Sequence, residues 1–185
     1  MKLADEIIIT IGGEAVELRP CLRFAMKLAD RPGSFAQIVR EINDGSVTTA
    51  VEIISEHTNM QFLPSRVFEV LPELRGSLLL YIMACAGIDP DDKPDEDKPK
   101  ANGKSVPFSE HLLHLYRIGT GWLGWSPETT LYATPAEIAE AYKGRLEMLK
   151  AIFGSGEASP PKDDRSLDDK FRSIFAGHQI VREGE

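Results

Sequence analysis

The chain has 185 residues, with 21 Lys and Arg against 29 Asp and Glu and a net charge of -8. That length suits one domain or two small ones. The acidity excludes a sequence-blind nucleic-acid binder, which needs clustered cations to displace counterions from phosphates. Cys21 and Cys85 stand apart, without Cys-x-x-Cys spacing or a nearby histidine cluster, so they read as reduced core thiols rather than a disulfide or a zinc site. Asp5 and Glu6 precede a short apolar run, unlike a secretory signal, and the longest apolar stretch, Leu78 to Ile88, is about half of what a membrane span needs. A cytoplasmic chain with no membrane or nucleic-acid partner is expected.

In chain order, the first element is a β-hairpin. Ile7 to Ile11 is β-branched throughout, Gly12-Gly13 is a two-residue turn signal, and Ala15 to Arg19 alternates until Pro20 stops it. Leu22, Ala25, Met26 and Ala29 then follow helical spacing up to Arg31-Pro32-Gly33. Ser34 is placed to cap a second helix, carrying Phe35, Ile38, Val39 and Ile42, and Ser46 or Thr48 to open a third that reaches about His57. Pro64 to Val70 fits either a helical turn or a short strand. Pro72-Glu73 starts a helix through Leu74, Leu78, Tyr81, Ile82 and Cys85, apolar on much of its circumference and therefore central to the core.

From Asp89 to Lys104 no large apolar residue occurs, and such a segment cannot offset its ordering entropy by burial. This predicts two structured units, residues 1–88 and 106–154, joined by an acidic flexible linker over 89–105. In the second unit Phe108, Leu112, Leu115 and Ile118 line one helical face. Gly119, Gly121 and Gly124 then break regular structure around Trp122 and Trp125, placing both rings on a turn. Ser126-Pro127 and Thr134-Pro135-Ala136-Glu137 are two helix starts, the second a capping box. A last helix runs through Ile138, Tyr142, Leu146, Leu149 and Phe153. Residues 155–185 form a polar tail with a short amphipathic segment bearing Phe171, Ile174 and Phe175. The predicted class is α+β, mostly α: a hairpin with a small helical domain, then an all-α unit.

Enzymatic chemistry finds little support in these residues. His57, His111, His114 and His178 are the only histidines, and the pair His111 and His114 lacks further ligands beyond Glu110, which suits a solvated helix face better than a metal site. Gly12-Gly13 lacks the Lys-Ser/Thr and helix N-terminus of a phosphate loop. Glu137, Glu140 and Glu147 alternate with Lys143, Arg145 and Lys150 as ordinary helix-surface pairs do. The expectation is a non-enzyme without cofactor or metal. The two tryptophans are either core residues tying short helices together or part of a partner-binding turn. On the second reading Trp122, Leu123, Trp125, Leu131, Tyr132, Phe171, Ile174 and Phe175 bind the partner.

Two stretches carry a family resemblance. The hairpin with its Leu18-Arg19-Pro20 step, leading into helices that end near Gly87, resembles the tail assembly chaperones of long-tailed bacteriophages and gene transfer agents. The stretch Gly121-Trp-Leu-Gly-Trp-Ser-Pro-Glu, followed by Ala133-Thr-Pro-Ala-Glu-Ile, is similar to the short companion protein of such clusters. In many such systems the two parts are separate products or are joined by a programmed frameshift, whereas here both lie in one chain. The resemblance implies an assembly factor that binds the tape measure protein, helps recruit tail tube protein, and is absent from the finished particle. A homo-oligomer is compatible with it. The competing expectations are a small acidic adaptor or regulatory protein-binding module of a prophage region, and a small hydrolase with a dispersed site.

Overall fold

The computed structural model describes residues 6–88 and 107–154. Gly12 (φ 58°) and Gly13 (φ 82°) supply the two consecutive left-handed residues that a tight hairpin turn demands. They join β1 (Ile8–Ile11) to β2 (Glu14–Glu17), antiparallel in the register Ile9↔Val16 and Ile11↔Glu14. Strand alternation sends Ile9, Ile11 and Val16 into the core, and Leu18 N–H donates to the Ile7 carbonyl at 2.8 Å across the open end.

Helices follow as the class requires: α1 (Leu22–Ala29), α2 (Ser34–Asn43), α3 (Val47–Ser55), α4 (Leu63–Cys85), α5 (Phe108–Arg117), α6 (Pro127–Tyr132) and α7 (Pro135–Phe153). Of the two candidates Ser46 and Thr48, Ser46 caps α3, accepting from Thr49 N–H at 3.3 Å. Ser34 does not cap α2. Gly33 holds the N-cap position, while the Ser34 hydroxyl is buried without a hydrogen-bond partner. The undecided stretch from Pro64 to Val70 is helical, so Pro72 lies inside α4 instead of starting it. A proline there forfeits one backbone hydrogen bond. The helix persists because Leu63, Val67, Leu74 and Leu78 are buried on one side, while Pro72 sits on the exposed side, where water can reach the carbonyl left free.

The stretches on either side of residues 89–106 do not form separate units. Leu112, Leu115, Ile118, Ala133 and Ile138 belong to the same buried cluster as Ile9, Leu22, Phe35 and Leu78. Phe35 meets Phe108 edge to face with centroids 5.1 Å apart, and Leu22 N–H donates to the Ala133 carbonyl at 2.8 Å. The reason is size. A helical piece of some fifty residues buries too little surface to stand alone, and α5 gains the surface it needs by packing on α1. Among the described residues the first compact unit runs to Glu147, and a second begins at Met148. The expected linker over 89–105 and the tail with Phe171, Ile174 and Phe175 lie outside the described residues.

Arg31, in the turn after α1, reaches Glu41 of α2 at 3.0 Å and Glu52 of α3 at 3.2 Å. Glu41 also accepts from the Thr49 hydroxyl at 2.7 Å and from Gln37 at 3.1 Å. The Thr49 bond, then the Gln37 bond and the Arg31 charge, hold the Glu41 carboxyl below its ordinary pKa. This network ties the turn after α1 to α2 and α3.

Candidate partner-binding surface

The second half of the unit turns on a glycine. After α5 the backbone widens into a π-helical turn over Ile118–Trp122, shown by Leu123 N–H donating to the Ile118 carbonyl at 3.0 Å. The glycines therefore do not break regular structure as the sequence predicts; they permit a wider turn of it. Gly119 is buried, and a Cβ there would overlap the Thr130 side chain, so its lack of a side chain lets α6 close on the turn. Thr130 is itself buried, and its hydroxyl donates to the Ser126 carbonyl at 2.9 Å. Trp125 N–H donates to the Gly119 carbonyl at 2.9 Å, which ties the end of the loop to its start.

Both predicted helix starts are present. Ser126 accepts from Thr129 N–H at 3.0 Å with Pro127 in the first turn of α6. Thr134 and Glu137 form a reciprocal capping box at 3.1 Å and 2.7 Å. Glu137 also pairs with Arg19 at 3.5 Å, linking the start of α7 to the Leu18-Arg19-Pro20 step. That pair is half exposed and contributes little by itself.

These contacts separate the two tryptophans, which do not make one aromatic surface. Trp125 is half-buried and packs against the core, whereas Trp122 is 58% exposed. The ring beside Trp122 is Tyr142 of α7, edge to face at 6.3 Å. Leu123 and Leu131 are half-buried, and Tyr132 is exposed with the Arg23 guanidinium 5.4 Å from its ring centroid. Among the described predicted residues, Trp122 and Tyr132 thus present open aromatic surface, and Leu123, Leu131 and Trp125 support it. The positions of Phe171, Ile174 and Phe175 lie outside the described residues.

Sequence reasoning missed a second exposed aromatic pair, Phe62 and Phe68, at the start of α4. Phe62 is 78% exposed and adopts φ 57°, a left-handed conformation that a bulky residue rarely takes. Phe68 lies in the stretch from Pro64 to Val70 that the sequence left undecided, and Phe62 lies just before it.

The polar groups of the interior lie elsewhere. His57, beyond the end of α3, hydrogen-bonds through Nε2 to the Tyr81 hydroxyl at 3.0 Å and packs edge to face on Phe24 at 4.9 Å. Burial holds the His57 imidazole below its ordinary pKa, and the nearby Glu56 and Glu17 only partly offset this. Burial likewise pushes the Tyr81 hydroxyl and the Cys85 thiol up. Cys21 and Cys85 are both free and buried, and at Cys85 burial disfavours a thiolate nucleophile. Among the described residues, no group of three or more His, Cys, Asp or Glu could hold a metal ion, and no helix is long and apolar enough to cross a membrane.

A pH dependence follows for His57. Its folded pKa lies below the unfolded value of 6.5, so the unfolded chain binds the extra proton and stability falls as pH drops below about 6.5. Urea unfolding between pH 7.5 and 5.5 should show a larger loss in the parent than in His57→Gln. Parallel curves would remove His57 as the cause. The Glu41 contribution is full above 4.5 and is lost only as pH falls below that value, outside this window.

The chain matches no protein-family model, no curated protein and no solved structure.

Proposed function

We propose that the chain is a non-enzymatic assembly chaperone of the long-tailed phage or gene transfer agent type. In this reading it acts in the host cytoplasm, captures the tape measure protein on its exposed aromatic surface, and helps recruit tail tube subunits. The observation that carries the reading is Trp122, 58% exposed on a turn fixed by the Gly119–Thr130 approach and braced by Tyr142. A large aromatic held open by so many contacts is what an anchor residue needs, because little rotamer or loop entropy remains to be lost on binding. Tape measure proteins are long helical chains with apolar faces, and an aromatic-lined helical surface can shelter such a face during assembly. The resemblance of the hairpin step and the tryptophan stretch to the family supports the same reading.

The test is co-expression and pull-down with a tape measure protein. Trp122→Ala should weaken capture about tenfold or more, the scale of a hot-spot residue, and leave the unfolding midpoint nearly unchanged. Trp125→Ala should instead lower stability by about 2 kcal/mol, because part of a half-buried indole is lost from the core. Capture by Trp122→Ala equal to the parent would move the binding surface elsewhere.

A further inference from the structure

The last helix carries an apolar face that the core does not cover. α7 has 19 residues, yet only Pro135 and Ile138 are buried. On the same side as Ile138 follow Tyr142, half-buried beside Trp122, and Leu146, 37% exposed. From Tyr142 the sequence runs on to Leu146, Leu149 and Phe153 at intervals of four, three and four residues. This is the period of a helix-pairing seam.

The charges bordering the seam are of one sign. Helical geometry places Lys143 along one edge and Arg145 along the other, with Lys150 seven residues beyond Lys143. Glu140 and Glu147 fall toward the back of the helix, where Glu140 binds Lys143 at 3.1 Å. Arg145 forms no ion pair among the described residues.

We infer that this face of α7, together with Trp122, receives an amphipathic helix from a partner whose own apolar seam is flanked by Asp and Glu. A second copy of the chain is a poor occupant. An antiparallel pair of α7 helices sets the lysine edge against its own mate, and a parallel pair sets it against the Arg145 edge, so like charges meet in both. An acidic-flanked helix places opposite charges along both edges and covers Tyr142 and Leu146. The inference extends the capture reading to the chemistry of what is captured. Its test uses designed peptides, so it stands or fails apart from the identity of the natural partner.

Two fluorescent peptides with the same Leu and Ile seam, one flanked by Glu and one by Lys, are titrated against the full chain by anisotropy. The Glu-flanked peptide should bind at least tenfold tighter, and the gap should narrow at 1 M salt, where charges are screened. Lys143→Glu with Arg145→Glu should reverse the preference, and Leu146→Ser should weaken both peptides while helicity stays at the parent level. Equal affinities, or a charge-reversed variant with unchanged preference, would overturn the inference. So would self-association of the free chain in light scattering that Leu146→Ser abolishes, since a second copy would then be the occupant. Tighter peptide binding by full-length Phe171→Ser with Ile174→Ser and Phe175→Ser would overturn it in favour of the chain's own C-terminal segment.

Discussion

Leu112→Ala is expected to destabilise the whole first unit by about 2–5 kcal/mol, in a single transition, because a fully buried leucine leaves a cavity that close-packed neighbours fill only in part. Leu112 belongs to α5, in the half expected from sequence to fold alone. Its cluster nevertheless includes Leu22 of α1 and Phe35 of α2, so the loss should reach the hairpin and α4. Native-state hydrogen exchange measures this residue by residue. Protection should fall together in α4 and α5. If amides of α4 keep the parent's protection while those of α5 lose theirs, the two halves are independent and the single core is refuted.

The second large effect is at the π-helical turn. Gly119→Ala should cost about 1–3 kcal/mol by overpacking. The new methyl would overlap the Thr130 side chain, and Thr130 has no easy retreat, being buried with its hydroxyl on the Ser126 carbonyl. Gly121 is the internal control. It lies two residues along the same turn with nothing within 4 Å of a Cβ, so Gly121→Ala should be neutral or stabilising by a few tenths of a kcal/mol. Urea unfolding monitored by tryptophan fluorescence reads both, since Trp122 and Trp125 lie just beyond the altered backbone. Equal stabilities for the two variants would show that the close approach of α6 to the turn is not what holds the tryptophans apart. Gly119→Ala should also weaken partner capture through Trp122, with no change in that ring's own chemistry.

What the sequence determined by itself was local. The Gly12-Gly13 hairpin, the cap at Ser126, the capping box at Thr134 and Glu137, and the helical faces of α1, α2 and α5 all rest on contacts within a few residues. Backbone conformation and capping at such sites are settled by neighbours in the chain, so residue type and spacing suffice. The α+β, mostly helical class follows from those pieces.

Everything that depended on distant partners was decided by the tertiary structure. The run of charge between residues 89 and 105 suggested a boundary, but apolar faces on either side of it meet in one core, and composition does not reveal which faces will meet. Pro72 sits within α4 because buried leucines on the opposite side outweigh one missing hydrogen bond. Trp122 and Trp125, three residues apart and chemically alike, take opposite roles because the π-helical turn rotates one ring toward α7 and solvent and the other toward the core. No propensity encodes that rotation. It is set by the space Gly119 leaves for Thr130, a contact between residues eleven apart that exists only after α6 has folded against the turn.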